Sequence, residues 1–416
     1  MNHQVIVNYT TDVTSGQNLA EQSYQRRNGD AITEGLRAVI DGLLDNEFRY
    51  DLQRMKHHTG TGYLMEQLWK AYMVSFILNM DCTNDFIRRL EENPSLTEIC
   101  GFNMDKPLPS RWTFDRFIIS LAEQQELIQR LLDKVIHELH QRLPEFGIAV
   151  AIDSTSVRSH SNPGKRIKSD PEADFMVKEG SIHKVWKWGY KMHLLVDTTW
   201  ELPIACEVTS ARESDVAHLI PLVNKAKDKF PWFRPWHIAA DSGYDAGYNY
   251  KAIYDIGSIP IIKMRETPHK QDGRYSLDEA GIPHCQAGLP LLLVAHDKKK
   301  GMKYVCPHKA GKIKCVLLHK CTVSVVWIRP FWEYRKFCSI PRDSDEWTEI
   351  YSKRSAVERV FSKLKEHRRL NSHCHRGLAK VKLHCLMSIL SLAITALAEV
   401  NANHIDRVRA CTRKVD

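Results

Sequence analysis

Two aspartates stand directly after short apolar runs, and this pairing predicts a site for a divalent cation. Asp153 follows residues 147–152, and Asp241 follows residues 236–240. Such runs are typical of buried central strands, and the carboxyl ends of neighbouring parallel strands meet at one edge of a sheet. Two carboxylates held close together repel each other, and a bound divalent cation removes that repulsion. Each aspartate alone has a simpler interpretation, as the start of a turn or the cap of a helix.

A second group of polar residues lies far along the chain, in a single helix predicted from about residue 346 to 370. Its members follow one another at steps of three, four and seven residues: Tyr351, Arg354, Glu358 and Lys365. In a helix of 3.6 residues per turn, these steps return to nearly the same side. The alternative is a solvated face on which Arg354 and Glu358 form an ordinary i,i+4 ion pair. An apolar stripe beside this face, which includes Val357, favours a position of Glu358 near the buried boundary.

The spacing of apolar residues, together with changes in composition, divides the sequence into six segments. Apolar residues recur every three or four positions from about residue 31 to 143, which predicts helices. From Gly147 the pattern changes to the order β-β-β-α-β-α-β, which predicts an α/β fold with a mixed sheet. The segments are a flexible arm at 1–30, a helical domain at 31–145, the first part of the α/β core at 146–265, an insertion at 266–345, core helices at 346–400 and a basic tail at 401–416.

Composition excludes several classes of protein. A 43% hydrophobic share is enough for a real core, which excludes a disordered or fibrous chain of 416 residues. Lys and Arg exceed Asp and Glu by 59 to 50, and the whole excess falls in residues 351–416, with 14 basic against 5 acidic residues. A local basic region beside the predicted carboxylate site is what a protein that cuts nucleic acid needs.

Targeting signals and cysteine usage predict a cytoplasmic protein. The first 30 residues lack the basic and apolar regions of a secretory signal, and the most apolar stretch, 386–398, is too short to cross a bilayer. We therefore expect no membrane association. Eleven cysteines, an odd number scattered along the chain, favour a reducing compartment over a disulfide scaffold.

The polar group at 351–365 resembles a known signature, the Y-x2-R-x3-E-x6-K motif of DDE-type bacterial insertion-sequence transposases, and it matches that motif at all four positions. Three further passages are similar to the same family: residues 152–155, 189–193 and 241–245. The similarity runs in order from about Asn93 to Val381, roughly two-thirds of the chain. A chance match of such an ordered set is improbable.

This resemblance implies a ribonuclease H-like α/β core, preceded by an all-helical DNA-binding domain and interrupted by a β-rich insertion. It implies that Asp153, Asp241 and Glu358 are the catalytic residues and bind two Mg²⁺ ions, for which Mn²⁺ would substitute. Two such ions activate a water molecule and stabilise the leaving oxygen in phosphodiester cleavage. The partners implied are double-stranded DNA, as terminal inverted repeats and as target, and a second copy of the chain in a homodimer. The location implied is the bacterial nucleoid.

Basic and aromatic residues around this core are further candidates for DNA contact. In the resemblance, Tyr351 positions DNA, and Arg354 and Lys365 neutralise phosphates beside the scissile bond. Lys191 and three arginines near the predicted bend after residue 367 are additional phosphate candidates: Arg368, Arg369 and Arg376. Four tryptophans could stack on bases, two on a basic strand and two in the insertion: Trp186, Trp188, Trp327 and Trp332. Half-exposed strand residues are the simpler interpretation of the first two.

Three alternatives remain open from the sequence. One is a nuclease of the same fold that cuts DNA without strand transfer, and another is a domesticated DNA-binding repressor without catalysis. The third concerns the insertion, where cysteines and histidines between Cys285 and Cys338 suggest a structural zinc site. Because no Cys-x2-Cys pair is present there, unpaired thiols are the default interpretation. Asp245, which resembles a recurring aspartate of the family, is not expected to bind metal.

Overall fold

A computed structural model describes residues 34–55, 62–164, 169–179, 184–265, 275–278, 282–297, 301–317, 321–328, 334–335, 338–342 and 344–410. The flexible arm predicted at 1–30, Trp332 and His319 lie outside these residues. The described chain forms two compact units. The first belongs to residues 1–235 and 353–416, and the second to residues 236–352.

The first unit begins with helices, as the periodicity predicts. The described helices before the first strand are α1 (Glu34–Gly42), α2 (Asn46–Arg54), α3 (Met65–Ile77), α4 (Thr83–Glu92), α5 (Pro94–Ile99), α6 (Arg111–Glu123) and α7 (Gln125–Arg142). The boundary between α4 and α5, at Asn93 and Pro94, has a clear physical basis. The Asn93 side chain accepts a hydrogen bond from the Leu96 N–H at 3.1 Å, and Pro94 occupies the first helical position, where no N–H is needed.

The first unit continues as strands β1 (Ala149–Arg158), β2 (Asp174–Glu179), β3 (Lys184–Asp197) and β4 (Leu202–Ser210), followed by helix α8 (Leu219–Lys229). The long strand β3 pairs antiparallel with each of the other three. One expectation needs correction, because β1 does not end on Asp153 but continues for five more residues. The ladder with β3 holds this polar extension, since residues 154–158 pair with residues 189–193.

The second unit contains strand β5 (His237–Ala240), helix α9 (Gly247–Asp255) and strand β6 (Ile259–Ile262), and its two strands are parallel. It then forms β7 (Tyr275–Leu277), β8 (Pro283–Cys285), β9 (Leu292–Asp297), β10 (Gly301–Val305) and β11 (Val325–Ile328) before helix α10 (Asp345–Ser352). Strands β9, β10 and β11 make an antiparallel sheet whose small core includes Cys285, Tyr304 and Val326. The described chain therefore has both parallel and antiparallel strand pairs, as an α/β protein with a mixed sheet requires.

Two helices return the chain to the first unit: α11 (Ser355–His367) and α12 (Leu378–Asn401). The single helix predicted from 346 to 370 is wrong, because α10 ends at Ser352 and α11 starts at Ser355. The hydroxyl of Ser352 donates to the Glu349 carbonyl oxygen at 2.6 Å, and such serine bonds compete with the helical ladder. Tyr351 and Glu358 therefore lie on different helices.

Helix α12 forms the centre of the first unit. Among the described helices, it is the one with the length and apolar composition to cross a membrane, yet 89% of its most apolar window is buried within the protein. It packs against α7 and β4, among others, so apolar residues are required on nearly all of its sides. The apolar character predicted from residue 378 onward is thus explained by burial.

A buried carboxylate attaches α11 and the C-terminal end of the described chain to the loop between β3 and β4. The side chain of Glu201 is 3% exposed and accepts hydrogen bonds from Arg359 at 2.6 Å, Lys363 at 2.7 Å and Arg409. Burial alone would raise the pKa of Glu201, but the hydrogen bonds from these three cations lower it to about 2. Sequence reasoning missed this cluster because Glu201 is more than 150 positions from each of the three cations.

Replacing Glu201 with glutamine should lower the free energy of unfolding by about 2 kcal/mol, because three cations would lose their charged partner. Removal of one partner from a fully buried ion pair lowers stability by more than this. Here the loss is smaller because Arg359 and Arg409 are half-exposed and water screens their charges. Since the folded pKa lies below the usual value of 4.5, the stabilisation is complete above pH 4.5 and is lost as the pH falls toward 2.

Urea denaturation between pH 2 and pH 7 measures both effects of Glu201→Gln. The difference in free energy of unfolding between wild type and variant should shrink as the pH falls below 4.5. Glu98→Gln, at an exposed carboxylate elsewhere in the same unit, is the matched control and should unfold like wild type. A difference that persists undiminished at pH 2 would contradict the ionic explanation.

Candidate active site

Two carboxylates of the first unit converge on one guanidinium. Arg354 reaches Asp153 on β1, with Nη1 3.3 Å from Oδ2, and Glu358 on α11, with Nη2 2.6 Å from Oε1. The side chain of Asp153 is 20% exposed and that of Glu358 is 57% exposed, so both carboxylates are open to solvent. The i,i+4 pair of Arg354 and Glu358 expected for a solvated face is therefore present, but the same arginine also binds Asp153 on the sheet.

The packing of α11 brings these groups together. Its apolar stripe is fully buried at three positions, Val357, Val360 and Leu364, and the helix contacts β1 and β3. Seven residues beyond Glu358, Lys365 donates from Nζ to the hydroxyl of Thr155 at 2.5 Å. Because β1 continues past Asp153, the helix follows the strand with a carboxylate pair at one end and an ammonium at the other.

Two members of the predicted group lie in the second unit. Asp241 directly follows β5, as the sequence predicts, and its Oδ1 accepts a hydrogen bond from the Gly243 N–H at 2.8 Å. The simpler interpretation, an aspartate that caps a helix, thus describes its contact, and the helix is a short 3-10 turn. Tyr351 on α10 stacks on Trp347, with ring centroids 4.6 Å apart and an interplanar angle of 11°.

A polar cluster next to Asp153 escaped sequence reasoning. The adjacent Ser154 donates from Oγ to Asp215 Oδ1 at 2.9 Å, and Lys191 donates to the same oxygen at 3.0 Å. Lys191 is 8% exposed and also donates to the Glu213 carbonyl oxygen. Lys191 thus forms an internal ion pair, and the phosphate contact predicted for it stays a prediction. A lysine inside an otherwise apolar strand was the available signal, because a buried ammonium requires an anionic partner.

His193 lies beside that ion pair and is fully buried. Its Nε2 lies 3.1 Å from the Thr209 hydroxyl oxygen, and its ring stacks on His218 with centroids 4.2 Å apart. Burial, reinforced by the neighbouring imidazole of His218, lowers the pKa of His193 to about 3. The ring is consequently neutral at physiological pH, and its place is structural support beneath β1.

Two of the predicted phosphate-binding arginines are internal. Arg368 and Arg369 are each 5% exposed. The Arg369 guanidinium donates to Ser75 Oγ at 2.6 Å and lies 4.8 Å from the centroid of the Phe76 ring. Both groups connect the turn after α11 to α3, and their predicted DNA contacts stay predictions. Arg376 is exposed, and its Nε donates to the His160 carbonyl oxygen at 2.8 Å.

The donors around Asp153 suit a hard divalent cation. Within the described ranges, no group of three or more His, Cys, Asp or Glu side chains is close enough together to hold a metal ion. Asp153 and Glu358 nevertheless offer carboxylate oxygens to one shared positive group, the Arg354 guanidinium. Carboxylate oxygens are the ligands that Mg²⁺ prefers, so the residues of this pair fit the ion.

The insertion offers no comparable cation site in the part of it that is described. Its cysteines are unpaired thiols, and Cys285 and Cys306 are buried in the small apolar core. Asp245, which was not expected to bind metal, accepts hydrogen bonds from Nε and Nη2 of Arg335, each at 2.6 Å. This contact helps to lower the pKa of Asp245 against the effect of burial. The zinc alternative therefore finds no set of ligands among these residues.

Comparisons with known proteins place this geometry in context. Residues 144–394 match the family model described as "Transposase DDE domain", and residues 20–119 match "Transposase domain (DUF772)". A Burkholderia cepacia protein assigned as the transposase of insertion sequence element IS402 is 34% identical over 93 residues. That match covers 21% of this chain and 44% of the relative, so the chain spans less than half the length of this curated relative.

One solved structure resembles the chain at low similarity. It is a chain of the piggyBac transposase synaptic complex with hairpin DNA, at 14% identity and a TM-score of 0.40. The match covers 92% of this chain and 78% of that one. A TM-score of this size does not establish a shared fold.

Proposed function

This chain belongs to the family of proteins with a transposase DDE domain, and we propose that it is the DNA transposase of an insertion sequence. It cleaves DNA at the ends of its element and joins the freed 3′-hydroxyl to target DNA. The observation that carries the proposal is the carboxylate pair of Asp153 and Glu358 on the Arg354 guanidinium. A solvent-open pair of carboxylates is the arrangement that cation-assisted phosphodiester cleavage requires.

The proposed ligands are Asp153, Asp241 and Glu358, which would hold two Mg²⁺ ions, with Mn²⁺ as a substitute. Bound cations supply an activated water and stabilise the leaving oxygen of an in-line displacement. The support from this chain is the donor chemistry of Asp153 and Glu358 and the position of Asp241 after an apolar strand. No covalent nucleophile on the protein is needed.

Arg354 and Lys365 are proposed to act on the DNA backbone. In the structure, the Arg354 guanidinium neutralises both carboxylates. If the carboxylates held a cation, the planar Arg354 guanidinium would be available to form two parallel hydrogen bonds to a phosphate. Lys365 lies two helical turns beyond Glu358 and neutralises a neighbouring phosphate. Tyr351 is proposed to position the DNA strand.

The partners proposed are the terminal inverted repeats, read by the helical region at 31–145, the target DNA, and a second copy of the chain that holds the other element end. The location proposed is the bacterial nucleoid. The basic excess of residues 351–416 supports DNA binding only in part. Five of its cations are committed to contacts with other residues of the protein: Arg359, Lys363, Arg368, Arg369 and Arg409.

The test is an assay with DNA that carries the inverted repeats flanking the gene. We expect Mg²⁺-dependent strand cleavage at the repeat ends, and joined products when pre-cleaved ends are supplied with target DNA. Addition of a chelator should stop both reactions. Cleavage without joining would favour a nuclease of the same fold, and tight binding with no cleavage would favour a repressor. Either result would overturn the proposal.

A further inference from the structure

A groove of about 500 Å³ lies in the first unit, beyond the end of β1 that follows Asp153. Residues of β1, β2 and β3 form most of its wall, and the segment that follows β1, Lys365 of α11 and Asn371 complete it. It begins close to the carboxylate pair. Lys365 is seven residues from Glu358 along a helix, and Ser156 is three residues from Asp153 along a strand, which places both about 10 Å away.

One side of the groove is aromatic and open. Trp186 is 62% exposed, although its ring is large and apolar. It meets Phe175 edge to face, with centroids 6.0 Å apart, and Phe175 in turn contacts Trp188 at 4.8 Å. Trp188 is buried, and its indole N–H donates to Ser161 Oγ at 2.7 Å. The exposed indole is thus supported by an anchored aromatic pair and presents a flat apolar surface to the groove.

The rest of the lining is cationic and rich in hydroxyl groups. Lys187, Arg158 and Lys365 contribute positive charge, and Lys187 lies with its Nζ 3.2 Å from the Ser156 hydroxyl oxygen. The described residues that line the groove include no Asp or Glu. A ligand that suits this lining carries negative charge and a planar apolar group, which is the chemistry of a nucleotide.

We propose that this groove binds an unpaired stretch of the DNA strand, with one base stacked on Trp186 and the phosphates of the strand attracted by the cations of the lining, Lys187 among them. Paired bases are stacked inside the duplex and cannot reach an indole, so the occupant is single-stranded. Because the groove lies about 10 Å from the carboxylates, its occupant is within a few nucleotides of the proposed cleavage site. The inference rests on the proposed function, because the occupant is a segment of the DNA strand that is cleaved at Asp153 and Glu358.

Two fluorescein-labelled probes test the proposal by anisotropy, in the presence of a chelator so that no cleavage occurs. One is a short oligothymidylate, and the other is an abasic oligomer of the same length that keeps the phosphates but has no bases. Trp186→Ala should weaken oligothymidylate binding by about tenfold and leave the abasic probe unchanged. Trp186→Phe should retain most of the affinity, because a phenyl ring can still stack. Lys187→Gln should weaken the binding of both probes and should reduce the salt dependence of that binding by about one charge.

Trp236→Ala is the matched control, because this tryptophan is 64% exposed but lies in the other unit. It should bind both probes like wild type, and thermal unfolding should show that all variants remain folded. Wild-type binding of oligothymidylate by Trp186→Ala would overturn the proposal. Equal losses on the two probes would also overturn it, because the groove would then act without base stacking. Failure of the proposed function appears elsewhere, as absence of Mg²⁺-dependent cleavage by the wild-type protein.

Discussion

Asp153→Asn and Glu358→Gln should each reduce Mg²⁺-dependent strand cleavage by at least about a thousandfold while leaving binding to the element ends intact. Each change preserves the shape of the side chain and removes one negative charge from the pair that shares Arg354. An amide oxygen is a weaker ligand for a hard cation than a carboxylate. Asp241→Ala should have the same effect on cleavage if all three acids hold the cations.

Cleavage of labelled element-end DNA and gel-shift binding to the same DNA separate catalysis from recognition. The matched control is Glu366→Gln, which removes an exposed carboxylate from the same helix as Glu358. It should cleave and bind like wild type. Binding by Asp153→Asn and Glu358→Gln should be equal or slightly tighter, because less negative charge faces the phosphates. Near-normal cleavage by any of the three acid variants would refute the assignment of that residue.

Gly189→Ala should destabilise the first unit by at least about 3 kcal/mol, through overpacking and backbone strain together. Gly189 has φ +150°, and a Cβ there would lie 2.2 Å from the Val157 carbonyl oxygen and 2.6 Å from the Ser159 nitrogen. These are backbone atoms at the end of β1, so they cannot rotate away as a flexible side chain would. Relief of the contact requires β1 and β3 to separate where Arg158 pairs with Gly189.

Chemical denaturation of purified protein, or the soluble yield if the variant does not fold, measures this effect. Gly257→Ala is the control, because Gly257 also has a positive φ, +81°, but nothing lies within 4 Å of its added Cβ. It should cost only about 1 kcal/mol. The difference between the two variants isolates the backbone contact. Similar stability losses would show that the close approach to β1 contributes little.

Local patterns in the sequence by themselves determined much of the secondary structure of this protein. The apolar run before Asp153 predicts a buried strand, and the spacing of Glu358 and Lys365 places both on one side of a helix whose apolar stripe is buried. Asn93 and Pro94 indicate a turn between helices, and a helix begins there in the structure. These features depend on neighbours within a few residues, and the periods of helix and strand are therefore readable from the chain itself.

Contacts between distant segments were decided only by the tertiary structure. The extension of β1 past Asp153 depends on its ladder with β3, and the break between α10 and α11 overrides a continuous helical period. The sequence of residues 351–416 does not indicate which of its cations are buried or paired. Arg369 is buried and bonds to Ser75, whereas Lys363 pairs with Glu201. The elements that pack against a charged side chain decide whether it binds a metal, contacts a phosphate or forms an internal ion pair. That packing brings together residues up to about 300 positions apart.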